Sequence, residues 1–308
     1  MHAIVSGRLT AALIPFLLIV AGAGVGAQGV NLFQPPGPES TGQAELTALA
    51  QAFPDRITSL ELRDNDWAVA LDGQWFFWAH GRILPEEERG SWEKYASYRF
   101  YRYPLGGLPP LPALSDEEAA RLKKLLQESR ARPPRKSEAF LERLFNAGSR
   151  TETQARLVTV DFLGFRVQVH ERIAGALKEV AVDCEAARAA DPAIASFFAG
   201  IAEMDGFNYR DVAGTLSRSY HGYGLAVDLI PKSYAGKATY WRWVMDRDER
   251  WWATPYEKRW AVPQKVVDAF ERHGFVWGGK WLFFDTMHFE YRPEILALAH
   301  AAADAVKP

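Results

Sequence analysis

The stretch Ser219-Tyr220-His221-Gly222-Tyr223-Gly224-Leu225-Ala226-Val227-Asp228 sets an imidazole in a glycine-rich turn and a carboxylate on the apolar run that follows. That run continues through Leu229 and Ile230 and stops at Pro231, which predicts a short buried strand. A period of two puts Ala226, Asp228 and Ile230 on one face and Leu225, Val227 and Leu229 on the other. A carboxylate among such neighbours needs a partner, because burying it unpaired is costly. A metal ion would supply one, and imidazole and carboxylate both suit zinc.

A second segment, Asp285-Thr286-Met287-His288-Phe289-Glu290, offers the missing pieces. On a strand, His288 and Glu290 share a face, so His288 can look into the same cleft as Asp228. Two imidazoles and one carboxylate leave a fourth position open, the pattern of catalytic zinc sites, and zinc brings the pKa of its water to around neutrality. Asp285 is the natural acceptor of that proton, with Glu290 as the rival carboxylate and as a support that orients His288. Taken singly these residues carry little weight, since a lone His or Asp is usually an ordinary hydrogen-bonded group.

In combination, Ser219-x-His221-x-x-Gly224-x-Ala226-x-Asp228 followed by Asp285-x-x-His288-Phe289-Glu290 resembles the zinc D-alanyl-D-alanine carboxypeptidase and L-alanyl-D-glutamate endopeptidase family of murein peptidases, over roughly Leu157 to Leu298. The resemblance implies the hedgehog/DD-peptidase fold, an α+β domain whose central antiparallel sheet is flanked by helices. It also implies zinc on His221, Asp228 and His288, with Asp285 as general acid and base. Gly274-Phe275-Val276-Trp277-Gly278-Gly279-Lys280-Trp281 is similar to the Gly-Phe-x-Trp-Gly-Gly-x-Trp stretch of the endopeptidase branch, which brings in Trp281 as a substrate or supporting residue. Asp285, where the carboxypeptidases usually carry glutamate, points to the same branch. Arg210, in Phe207-Asn208-Tyr209-Arg210, lies where family members carry an arginine that polarises the scissile carbonyl. Asp211 and Val212 then depart from the Ser and Gln that often follow it. Ser219 either donates to substrate or holds its turn.

Working outward, the sequence predicts a helix over Pro263 to His273 capped by Gly274, and strands around Trp281 to Phe284 and His288 to Tyr291. Upstream it predicts strands at Val158-Thr159-Val160 and Phe165 to Val169, a helix over Glu171 to Ala190, and an Asp191-Pro192 start to the next helix. Cys184 falls inside the long helix as an inert thiol. The Trp-rich insert from Tyr240 to Trp260 reads either as the wall of a groove or as local core.

Three divisions are expected: 1–27 as a signal peptide, 28–150 as an accessory region and 151–308 as the zinc peptidase domain. The accessory region is read as a helix from Glu45 to Phe53, a β-meander over Asp66 to Leu84 with an Asp72-Gly73 turn, a proline-rich break at 104–112, a helix opened by Ser115 and another opened by Ser137. The basic start, the apolar run Leu9 to Val20 and the small residues up to Ala27 predict export, to the periplasm or cell envelope, with no membrane span after cleavage. With 36 basic against 38 acidic side chains, the net charge of −2 gives no field that favours nucleic acid. One cysteine among 308 residues rules out an internal disulfide. The expected activity is zinc-dependent hydrolysis of an amide in the peptidoglycan stem peptide, leaning to an L-alanyl-D-glutamate endopeptidase. A D-alanyl-D-alanine carboxypeptidase is the alternative, and a non-catalytic wall-binding module on the same fold is the alternative of another class. Oligomeric state is not legible in the sequence.

Overall fold

The computed structural model describes residues 41–305. The expected signal peptide and most of the leader behind it lie outside the described residues. Within them the chain is α+β, with two four-stranded antiparallel sheets and one hairpin.

Helix α1 (Gln43–Ala52) leads into a meander, β1 (Ile57–Arg63), β2 (Asp66–Leu71), β3 (Gln74–Ala79) and β4 (Arg82–Pro85), paired in chain order. Its three turns, Asp64-Asn65, Asp72-Gly73 and His80-Gly81, place both central residues at positive φ, from 47° to 82°. Such turns match the right-handed twist of the strands, which is why Asp, Asn, His and Gly stand there. Val69, Leu71, Phe76 and Trp78 are buried on the side that receives Leu46 and Leu49 of α1.

After the short helix α2 (Glu86–Arg89) the chain runs irregularly to α3 (Asp116–Ala131), which starts with a reciprocal capping box between Ser115 and Glu118. Helices α4 (Ala139–Phe145) and α5 (Arg150–Ala155) and the hairpin β5 (Leu157–Phe162) and β6 (Phe165–His170) follow. The long α6 (Glu171–Ala190) buries Ile173, Leu177, Val180 and Cys184. Burial pushes the Cys184 thiol up to about 12, so it stays protonated and unreactive. Asp191 caps α7 (Pro192–Ala199) by accepting from the Ala193 amide.

The sheet that carries the site has the order β7 (Ile201–Asp205), β8 (Ala226–Pro231), β10 (His288–Tyr291), β9 (Phe275–Trp277). Helix α9 (Gln264–Arg272) packs on this sheet and is backed by α6, which also packs on the β5–β6 hairpin, and Phe270 stacks on Phe289 with ring centres 3.9 Å apart. Between β8 and α9 lies α8 (Trp241–Met245), and α10 (Pro293–Asp304) closes the chain against α1.

The expected strand at Trp281 to Phe284 is not formed, and the sheet is completed instead by Phe275–Trp277. Gly278 and Gly279 explain the difference. They fold into a tight turn where a Cβ would come within 2.6 Å of the Asp285 carbonyl and 2.2 Å of the Trp277 ring, so the chain leaves the sheet there. The Trp-rich insert forms a second core: Trp241, Trp251 and Trp252 bury with Phe284 and pack against Leu122 and Leu126 of α3. Trp243 alone of that group is left 53% exposed. The proline-rich break is held by the rest of the molecule, since Lys280 Nζ donates to the carbonyls of Pro104 (3.0 Å) and Gly106 (2.5 Å). One apolar core therefore runs from Leu46 through Phe140 to Leu296, across residue 150. No helix among the described residues is long and apolar enough to cross a membrane.

Candidate metal centre

The turn before β8 is built around backbone contacts that only its sequence permits. Ser219 Oγ accepts from the His221 amide at 3.3 Å and so starts a single 3-10 turn, Tyr220–Tyr223. Gly224 ends it at φ 70°, where a Cβ would lie 2.8 Å from the His170 nitrogen. That close approach lets the His170 amide donate to the Gly224 carbonyl at 2.8 Å and locks the turn onto the end of β6. His221 is thereby held 1% exposed beside the sheet. In the sheet itself, Asp228 of β8 lies directly opposite His288 of β10.

These elements bring three ligand atoms together. His221 Nε2 lies 3.1 Å from His288 Nδ1 and 3.2 Å from Asp228 Oδ1, and His288 Nδ1 lies 3.0 Å from Asp228 Oδ1. The outward nitrogen of each ring meets an acceptor: His221 Nδ1 faces the Gly206 carbonyl at 2.6 Å and His288 Nε2 faces Glu290 Oε2 at 3.3 Å. Each outward nitrogen must carry the hydrogen, so each inward nitrogen presents a lone pair. Two lone pairs and a carboxylate oxygen, mutually about 3 Å apart, repel unless a cation sits among them. Fixing the outer nitrogens on a carbonyl and a carboxylate is also how metal-bound imidazoles are oriented. The donor set of two nitrogens and one oxygen, all within 4.8 Å of one another, fits zinc. Without a metal a proton fills that role: burial would lower His288, but its bonds to Asp228 and Glu290 outweigh it and push the imidazole up to about 10, so zinc bound at Nδ1 would take the place of that proton. Burial would raise Asp228, but the two histidines hold it far below the usual carboxylate range.

Asp285 lies at the same end of β10. Its Oδ1 is buried and has no hydrogen-bond partner among the described residues. Burial, with Asp228 adding repulsion and His288 opposing it, pushes the carboxyl up to about 6. Glu290 behaves oppositely, because its bond to His288 and the charge of Arg292 outweigh burial and bring it down to about 2. The Trp281 ring stands 5.6 Å from the His288 ring and 6.2 Å from that of Tyr101. Arg210 sits on the exposed rim, where its carbonyl accepts from the Ser219 amide at 2.9 Å. Its charge acts on Tyr240, a half-buried side chain that burial raises and that also feels Asp285. The structure thus joins His221, Asp228, His288, Asp285 and Glu290 in one place, sets Trp281 beside them, commits Ser219 to the turn and leaves Arg210 outside the cluster.

Three contributors were not legible in advance: the Gly206 carbonyl, Tyr101 and Arg292. Arg292 follows His288 and Glu290 at a spacing of two, which is the one signal that marked it.

Residues 213–291, about a quarter of the chain, match a family model described as D-alanyl-D-alanine carboxypeptidase. The matched segment contains all three candidate ligands together with Asp285 and Glu290, and it supports a peptidase of that family without distinguishing the subfamily. Residues 45–100 match a domain of unknown function. No curated protein and no solved structure matches the chain.

Proposed function

We propose that this chain is an exported zinc peptidase that hydrolyses an amide bond in the peptide stem of peptidoglycan, acting as an L-alanyl-D-glutamate endopeptidase. The observation that carries the reading is the trio of ligand atoms 3.0 to 3.2 Å apart, with both outer imidazole nitrogens anchored, inside a segment similar to a peptidase family. His221 Nε2, Asp228 Oδ1 and His288 Nδ1 would hold the metal. Zinc in that position supplies a Lewis acid for the scissile carbonyl and acidifies water towards neutrality. Asp285 takes up a proton at its unpartnered Oδ1 and returns it to the leaving amine, a double task suited to a carboxyl raised to about 6 by burial. Arg210 offers the rim a permanent positive charge for the oxygen that gains negative charge during attack. Trp281 gives the substrate an apolar wall beside His288.

Support for the endopeptidase branch comes from the Gly274 to Trp281 stretch and from aspartate at 285. Incubation with defined muropeptides, with the products weighed by mass spectrometry, tests the bond choice. Cleavage between L-alanine and D-glutamate is the expected result. Loss of one terminal D-alanine would replace the endopeptidase by the carboxypeptidase, and an absence of any product would overturn the peptidase reading.

A further inference from the structure

Arg292 lies just beyond the segment similar to the peptidase family, and its guanidinium is 2% exposed. Each of its three nitrogens has a different partner. Nη1 donates to Glu290 Oε1 at 3.2 Å, Nε to Glu294 Oε1 at 2.5 Å, and Nη2 to the Arg99 carbonyl at 2.7 Å. Its faces are covered by Tyr98 and Tyr220, each with its ring centre 5.2 Å from the guanidinium carbon. Tyr220 precedes the candidate ligand His221, and Tyr98 and Arg99 belong to the segment that matches a domain of unknown function.

These contacts form an unbroken chain. The Arg99 carbonyl fixes Arg292, Arg292 takes one oxygen of Glu290, and the other oxygen of Glu290 receives the His288 Nε2 hydrogen at 3.3 Å. A carboxylate held by one oxygen can rotate, whereas one held by both presents a fixed acceptor to the imidazole. A planar fork with several fixed N–H directions is the group that can bridge a carbonyl and a carboxylate in this way. We infer that Arg292 is a positioning residue for the metal centre, and that the N-terminal region, through the backbone at Arg99 and the ring of Tyr98, sets the orientation of the ligand His288. The region outside the peptidase-like segment is then part of the metal site. This inference rests on the metal reading above and goes beyond it, since nothing in that reading assigns the N-terminal region a role.

Zinc affinity of the whole chain, read by competition with a chelating fluorophore, tests it without reference to hydrolysis. Arg292→Lys keeps the charge and loses the fork, and is expected to weaken zinc binding by about tenfold or more, the range in which outer supports of ligands act. In a Glu290→Gln background the same change should cost no more than about twofold, because the link it breaks is already gone. Leu177→Ala, a core truncation in α6 remote from the site, controls for lost stability and should leave zinc affinity unchanged. Should Arg292→Lys fail to fold, Tyr98→Leu, which uncovers one face of the guanidinium, is expected to weaken zinc binding in the same direction. Unaltered affinity in the folded variant, or an undiminished effect in the Glu290→Gln background, would overturn the inference. A wild-type chain that takes up no zinc would instead remove the metal reading itself.

Discussion

At the scale of the residue, the decisive feature is the division of labour between carboxylates in near-identical surroundings. Asp285 is pushed up by burial and has a free oxygen, whereas Glu290 is pulled down by two donors and has none. In the proposed mechanism the first is the one suited to move a proton. Replacement of Asp285 by Asn removes the proton carrier and keeps shape and polarity, so kcat should fall by about a hundredfold to ten-thousandfold while zinc stoichiometry is retained. Lys136 gives a pH dependence of stability. Burial, and repulsion from Arg99 and Arg292, bring its ammonium down to about 7 from 10.5. Between those values the unfolded chain binds a proton that the folded chain does not, so raising the pH favours folding. Urea denaturation of the wild type should therefore gain stability from pH 7 to 10 relative to Lys136→Met, and parallel pH profiles would contradict the assignment. At this scale much was legible, because ligand chemistry is written in residue type and alternation. Arg292 was not, since its role depends on a carbonyl nearly two hundred positions away in sequence.

At the scale of the element, the site depends on two glycine devices. Gly224 holds a left-handed turn against β6, and Gly278-Gly279 bends the chain out of the sheet ahead of Asp285. Gly224→Ala forces a Cβ to within 2.8 Å of the His170 nitrogen at φ 70°, and should destabilise the fold by about 1 to 3 kcal/mol in chemical denaturation. The strands β8 and β10 could be read from the period-two pattern because one face is apolar and the other carries the ligands. The edge strand Phe275–Trp277 could not, because all three of its residues are buried and show no alternation. Likewise β1 breaks register between Ile57 and Ser59, which blurs the pattern from which strands are recognised. The extended run Tyr98 to Tyr103 pairs with no sheet, so nothing periodic announced that it reaches Arg292 and Trp281.

At the scale of the whole molecule, composition misleads where prolines gather. The stretch at 104–112 reads as a joint, yet prolines lack only the amide donor, and the carbonyls of Pro104 and Gly106 are acceptors for Lys280. Lys280 Nζ also pairs with Glu271 at 2.6 Å, and Tyr103 Oη donates to the same carboxylate at 2.5 Å. Lys280→Met leaves the largely buried Glu271 without its cation, with Tyr103 as a remaining donor, and takes the lysine's bonds from two carbonyls, so its expected cost is about 3 to 5 kcal/mol of stability, read from urea midpoints. A loss below about 1 kcal/mol would mean that the N-terminal region is held mainly by its apolar contacts.

The metal centre is the feature on which the proposed activity depends. Its most direct test is zinc bound per chain, measured by atomic emission on the purified protein and on the His288→Ala variant, with muropeptide hydrolysis followed before chelation, after it, and after zinc is restored. The expected result is one zinc per wild-type chain, markedly less in the variant, and hydrolysis that disappears with the metal and returns with it. Hydrolysis that persists after the metal is gone, or equal zinc in wild type and variant, would contradict a zinc centre on His288.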